Sequence, residues 1–384
     1  MSAPATADAV CGAAALRAKI AAMHIATGRL FAMFSFDVGF EIDLRRLRPP
    51  RSEPTGDPPN GGRKTAPARV QYPSPSLSLP VGSRALVLAD RPAVADVTLR
   101  AHEFGAVTVL FTFPFDSVEC EGLPGLTAAL TAGSTLESTA RTVLREALPR
   151  LAPAIVRPAP DGHGLVEDYY VVQVSRFDPE TDAPALLGTH RDLLARIVHC
   201  EPQPLSPSET DEVLRTAVTY RPRDLVVTDW NVALVYDEEY EDALDVLELL
   251  NVQLLELRFL DTMLDRRIGA LYEHVGQPRR LLSFRREVVR VRELSELRLD
   301  TATLRERLVN AVKLVGDLYL TKIYARTADR LHLGEWQRSI DGKLELVQKI
   351  ADVLAGRAAT ARAELLELTI ILLIVFEIVL FFVR

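Results

Sequence analysis

The stretch ELLELTIILLIVFEIVLFFVR, from Glu364 to Arg384, decides the reading of the chain. Between Leu368 and Val383 the only charged residue is Glu377. At ~1.5 Å of rise per residue these positions cover about 24 Å. A bilayer core is about 30 Å thick, so a crossing would borrow from Ala361–Glu367 or thin the membrane locally. Ile, Leu, Val and Phe occupy every side of such a helix, unlike a helix with one core-facing stripe. The expectation is one C-terminal transmembrane helix over 363–384; the competing reading is a buried C-terminal helix of a globular core. Arg357 and Arg362 precede the run and a single Arg384 follows it. The positive-inside rule then places the soluble part in the cytoplasm, anchored to the inner (cytoplasmic) membrane by a single pass. In a eukaryote this would be the mitochondrial inner membrane.

Immediately before this run the chain reads as long helices. From Asp237 onward, Leu247, Leu254 and Ile268 share one heptad position and Leu250, Leu257, Leu264 and Leu271 the other. Such a seam is a coiled-coil stripe, and Asp261 interrupts it where Leu or Ile is expected. Gly276-Gln277-Pro278 ends the first helix. A basic second helix begins at Arg279, carries Arg285, Arg286, Arg290 and Arg292, and has a capping-box spacing at Thr303 and Glu306. It would fold back on the acidic first helix. A third helix starts near Glu335 and aligns Trp336, Ile340, Leu344, Val347, Ile350 and Leu354 on one face. Together these predict an antiparallel stalk over 237–362. Glu377, Asp261, Trp336, Arg285 and Arg286 are its candidate interface residues.

Strand signals lie upstream. Phe34, Phe36, Val38, Phe40, Ile42 and Leu44 alternate with polar residues, which predicts a half-buried strand. The Pro-, Gly- and Ser-rich stretch over 49–80 predicts a disordered insertion. Apolar runs at Arg84–Ala89, Phe104–Phe115 (with Gly105 at a bend), Asp168–Val174 and Leu225–Tyr236 predict further strands. Helices are expected at Leu136–Leu148, Ala185–Ile197 and Ser208–Val218. The interleaving indicates an α+β strand/helix sandwich over 29–236, preceded by a tail over 1–28.

Composition narrows the function. The chain has 384 residues, a quarter of them charged, and a net charge of −7, which argues against a sequence-specific nucleic-acid partner. Cys11, Cys120 and Cys200 form no CxxC pair, and the Ala-rich N-terminus lacks the apolar core of a secretory signal. No phosphate-binding, dinucleotide, zinc-protease or nucleophile-elbow motif is present. The seven histidines are scattered, and His199 beside Cys200 is the only adjacent soft pair. Neighbours in a helix or strand point apart, so a shared role is not expected. No catalytic residue, cofactor or metal ligand is assigned.

The C-terminal half resembles the required-for-meiotic-nuclear-division family. The resemblance rests on NVQLLELRFLD at Asn251–Asp261, GDLYLTKIY at Gly316–Tyr324, Trp336 with Lys343-Leu344, and Arg362 through Glu377. It covers roughly 221–381; FDVGFEIDLRRL and HEFGAVTVLF look like degenerate first strands, while the Pro-rich insertion and FTFPF depart from the pattern. The resemblance implies a soluble domain, long helices and one membrane helix, with no established activity. It also implies a role like that of the mitochondrial inner-membrane members, which support translation by tethering ribosomes. The function expected is therefore a non-enzymatic, membrane-anchored scaffold or tether, acting as a homo-oligomer with the membrane and a ribosome or other protein as partners. The alternatives are an oligomeric ion channel with a cytoplasmic α/β domain, and an enzyme with an unrecognised site in the α+β domain. Convergent, buried polar groups in a pocket would mark the last.

Overall fold

The computed structural model describes residues 23–47, 76–89, 91–133, 135–159, 164–275, 284–312 and 318–383. The side chains of 273–275, 284–287, 307–312 and 382–383 lie outside the described set. The chain forms two compact units: Met1–Glu256 with Leu308–Leu333, and Leu257–Arg307 with Gly334–Arg384.

The first unit is built on an eight-stranded mixed sheet of order β3-β4-β5-β1-β7-β10-β9-β8. Its strands are β1 (His24–Asp37), β3 (Ser76–Leu88), β4 (Arg91–His102), β5 (Ala106–Glu119), β7 (Val166–Asp178), β8 (Val218–Thr219), β9 (Leu225–Thr228) and β10 (Val232–Tyr236). β7 and β10 are parallel and the other pairs antiparallel. One face is covered by α2 (Leu123–Ala132), α3 (Thr135–Leu151), α4 (Ala183–Thr189), α5 (Arg191–His199) and α6 (Pro207–Leu214). Leu30, Ala32, Phe34 and Phe36 of β1 enter this core. The intervening Met33, Ser35 and Asp37 are buried as well, on the other face.

β1 is therefore a central strand covered on both faces, longer than the half-buried strand predicted from Phe34. The alternation beyond Asp37 belongs to a separate ribbon. There Val38 N donates to Gly105 O (3.0 Å), and β2 (Gly39–Ile42) pairs with β6 (Ile155–Pro158), followed by the short α1 (Leu44–Leu47). Gly105 sits at the predicted bend with φ +102°, and a Cβ there would lie 1.8 Å from Gly39 O. Most of the Pro-rich insertion lies outside the described residues. Its end, from Ser76, is already strand and forms a hairpin with β4, an element the sequence did not announce.

The other face is covered by the first half, up to Glu256, of α7 (Glu241–Val275). All seven predicted seam residues are buried, but so are Val246, Leu249, Val252 and Leu255, together with Glu248, Asn251, Gln253 and Glu256. The first half of α7 is thus a core helix on a sheet rather than part of a two-helix stripe. Asn251 Nδ2 donates to Ser35 Oγ and Glu167 O, both at 3.1 Å. Arg100 Nη1 meets Glu248 (2.6 Å) and Asp245 (2.5 Å), and His102 Nε2 lies 3.2 Å from Glu248 Oε1.

In the second unit, α8 (Phe284–Val312) runs past Asp300 without interruption. The Thr303 hydroxyl donates to Leu299 O (2.8 Å) inside the helix instead of capping a new one. Arg305 pairs with Asp341 of α10 (Leu333–Val383). Arg285 and Arg286 lie in α8, with side chains outside the described set. Trp336 is half-buried, and Ile340, Val347, Ile350 and Leu354 form the buried face predicted for this helix. Asp261 has specific partners: Lys343 Nζ at 2.7 Å and Ser339 Oγ at 3.0 Å. Asp261→Leu would leave the Lys343 ammonium with only the more exposed Asp265 (2.7 Å). It is expected to lower unfolding free energy by about 1 kcal/mol, read as a lower thermal midpoint. A raised midpoint would show that the seam prefers an apolar residue.

The membrane expectation is overturned. Among the described residues no helix is long and apolar enough to cross a membrane. A crossing helix needs about 20 residues. Extending Leu368–Val383 to that length draws in Glu367 and either Glu364 or Arg384 beside Glu377. Glu377, further inside such a span, costs at most roughly 2.5–3.5 kcal/mol, the figure for mid-membrane. The transmembrane element of the predicted fold class, the single-pass anchor over 363–384 and the inner-membrane placement all fall with it.

Candidate functional site

The predicted strand over Leu225–Tyr236 is a hairpin, β9–β10, turning through Asp229-Trp230-Asn231. Asp229 N donates to Val232 O (2.9 Å), and Tyr170 N to Asn231 O (2.9 Å), which fixes the turn against β7. The fully buried Tyr169 hydroxyl donates to Asp229 O (3.0 Å). The Asp229 carboxylate is consequently held, 3% exposed, at the end of the sheet.

Two helix ends meet it. The α9 helix (Leu318–Arg330) is docked by Tyr324 OH on Gln253 Oε1 (2.8 Å) and by Thr327 Oγ1 on Thr228 Oγ1 (3.2 Å). Residues i and i+3 share a helix face, so the turn that sets Thr327 over Thr228 sets Arg330 over Asp229. Arg330 Nε donates to Asp229 Oδ1 at 2.6 Å. From the other side, α5 ends in His199, whose Nδ1 lies 2.7 Å from Asp229 Oδ2. Trp230 N also donates to Oδ1, at 2.7 Å. One buried carboxylate therefore accepts from a guanidinium, an imidazole and an amide, the charge-assisted pattern that fixes geometry most firmly.

These groups line a cavity of about 370 Å³ with Val198, Cys200, Trp230, Asn231 and His332. Trp230 is 42% exposed and its ring centroid is 5.9 Å from that of His332. Glu209 and Glu212 stand at the rim, 3.9 Å from His199 Nε2 and from Arg330 Nη1. With Nδ1 held by Asp229, the other ring nitrogen of His199, Nε2, is left toward Glu209. Cys200 closes α5 in the left-handed conformation, φ 59°. Burial pushes its thiol up to about 11, against hydrogen bonding to Thr131 and Thr127 that acts the other way. A thiol held protonated is a poor nucleophile. Among the described residues no group of three or more His, Cys, Asp and Glu side chains could hold a metal ion.

None of the five predicted interface residues lies in this cleft. Glu377, exposed on α10, Asp261 and Trp336 all belong to the second unit. His199 and Cys200, set aside as neighbours pointing apart, both line the cleft because Cys200 leaves the helical conformation.

The fold and site define a mixed-sheet α/β domain with a carboxylate–imidazole–guanidinium cluster at a hairpin turn. The chain belongs to the family described as "Uncharacterized protein MJ0711, N-terminal domain", whose model matches residues 27–243. It is similar to the uncharacterized protein MJ0711 of Methanocaldococcus jannaschii, 24% identical over 206 residues. That match covers 53% of this chain and 63% of the relative's length. No solved structure matches the chain. The family match includes His199, Asp229 and Trp230 but stops before Arg330 and His332, and most of the 221–381 stretch that carries the meiotic-division resemblance lies beyond it.

Proposed function

We propose that the sheet domain binds a small, flat, hydrogen-bonding molecule and exchanges a proton with it through His199 Nε2. The observation that carries this reading is the hydrogen-bonded set on buried Asp229, which fixes His199 and Arg330 at the wall of a cavity. Asp229 holds the imidazole tautomer, in the way a buried carboxylate orients a general base. Arg330 pairs with the same carboxylate at 2.6 Å and holds it in place. Trp230 and His332 offer ring faces, and a cavity of about 370 Å³ suits a molecule the size of a single heterocycle. Cys200 takes no part.

The chain holds two tryptophans. In a Trp336→Phe background Trp230 becomes the sole fluorescent reporter. Adenine and nicotinamide, as flat probes, are expected to quench it saturably, with cyclohexanol inert. His199→Gln should weaken the quench. Equal response to all three probes, or an unchanged response in His199→Gln, would reject the reading.

A second reading, a scaffold or tether, is favoured by the exposed apolar end of α10. It concerns the second unit and is compatible with a ligand site in the first.

A further inference from the structure

Arg330 uses its Nε–H on Asp229 Oδ1, at 2.6 Å. Its Nη1 lies 3.9 Å from Glu212 Oε1, beyond hydrogen-bond reach. Among the described residues nothing accepts from its Nη groups, although the side chain lines the cavity and is only 23% exposed. A guanidinium donates and cannot accept. The ligand atom set against Arg330 is therefore an acceptor.

Charge selects the kind of acceptor. Among the described residues the carboxylates of Asp229, Glu209 and Glu212 stand against the guanidiniums of Arg330 and of Arg215, which pairs with Glu212. An oxyanion brought here would meet the surplus carboxylate, and like charges set side by side select against a partner. A carbonyl oxygen offers its lone pairs to the Nη groups without that repulsion. Asn231 adds a second polar contact. Its backbone O takes Tyr170 N at 2.9 Å. The residue lines the same cavity, and its carboxamide has no hydrogen-bond partner among the described residues. The carboxamide oxygen accepts an N–H.

Resting on the ring-binding reading above, we propose that the ligand is a neutral cyclic amide, a flat ring with C=O beside N–H. Its carbonyl oxygen accepts from the Arg330 Nη groups, its N–H donates to Asn231 Oδ1, and its face lies on Trp230. Asp229 then does more than orient His199: by taking Nε it leaves the Nη groups of Arg330 for the ligand.

Hypoxanthine and adenine are purines of nearly the same size with opposite edges. Hypoxanthine presents C=O beside N–H, and adenine presents an amino group beside a bare ring nitrogen. With Trp230 as sole reporter in Trp336→Phe, hypoxanthine is expected to half-saturate the quench at a concentration about tenfold below adenine. Nicotinamide should do so below nicotinate, which carries an oxyanion in place of the amide. Arg330→Lys keeps a cation beside Asp229 but loses the planar fork, and should bring the purine ratio within roughly threefold. Asn231→Leu, at a side chain with no bond to lose, should narrow the ratio and leave the thermal midpoint in place. Equal half-saturation by the two purines, tighter adenine, or nicotinate tighter than nicotinamide overturns the cyclic-amide proposal and leaves the ring-binding reading standing. So does a purine ratio unchanged in both variants. No saturable quench by any of the four probes removes the ring-binding reading and this inference with it.

Discussion

Asp229→Ala is expected to cost about 3–5 kcal/mol of unfolding free energy, the usual penalty for removing one partner from a buried charged cluster. The carboxylate is 3% exposed and answers Arg330, His199 and the Trp230 amide at 2.6–2.7 Å. Among the described residues truncation leaves the Arg330 guanidinium, with a side chain 23% exposed, only Glu212 at 3.9 Å as an anionic partner. Most of the penalty comes from stranding that cation rather than from the lost contacts themselves. Adding Arg330→Met to Asp229→Ala should therefore recover part of the loss, a non-additivity that urea denaturation of the four members of the cycle would measure. Asp229→Asn should fall between, since its amide oxygen still accepts from Trp230 N. A cost below about 1 kcal/mol for Asp229→Ala, or strict additivity with Arg330→Met, would mean that the cluster is solvated and does not hold His199 in place.

The sheet domain was legible in outline because its strands are long apolar runs and its helices carry stripes. Phe34 and Phe36 announced β1. Its first ten residues did not, because HIATGRL mixes polar residues with Gly28, and a central strand needs no alternation when both faces are covered. Gly28 has its own reason: a Cβ there would lie 2.6 Å from Gln173 O of the neighbouring strand. β4 was missed because RPAVADVTLRAH opens on Arg-Pro and sets Asp96 and Arg100 among its apolar residues. The heptad seam of α7 was real as burial and misleading as architecture. A helix pressed on a sheet buries a wider arc than a two-helix seam, and Glu248, Asn251 and Glu256 fall within that arc.

The candidate site was nearly invisible for a different reason. Asp229 sits in LVVTDWNVALVY, where apolar residues on both sides read as one strand; the Asp-Trp-Asn triplet was the available turn signal. Arg330 reaches Asp229 across 101 residues of sequence. Only the docking of α9 through Thr327 brings them together, and no local pattern encodes that. The C-terminal run shows the opposite failure. Its hydrophobicity is plain, but hydrophobicity alone does not say what covers it, and the flanking carboxylates that bear on the question lie just outside the apolar core of the motif.

The pH dependence of stability should carry the mark of the buried carboxyls beneath α7. Burial pushes Asp37 from 3.8 up to about 6, with the Gly39 N–H (3.1 Å) acting in the opposite sense. Glu256 is raised well above its usual range by burial and then by the charge of Asp37. A carboxyl whose folded pKa lies above its unfolded one binds more protons in the native state. Unfolding free energy then falls as pH rises through the window from about 4 to 6, and the penalty is fully present above it. For Asp37 a shift of this size corresponds to at most about 3 kcal/mol. Asp37→Asn keeps an acceptor for Gly39 N and removes the ionisation, so it should stabilise the protein by about 1–3 kcal/mol at pH 8 and have little effect near pH 4. With the Asp37 charge gone, Glu256 loses one of the two influences that raise it, and the remaining pH slope should move downward toward the acid range. Guanidinium or urea unfolding of both proteins from pH 4 to 8 isolates this difference from the other carboxyls, which are common to both. Parallel curves with no pH-dependent gap would show that water reaches Asp37 and that the α7–sheet layer is looser than its hydrogen bonds to Ser35 and Glu167 indicate.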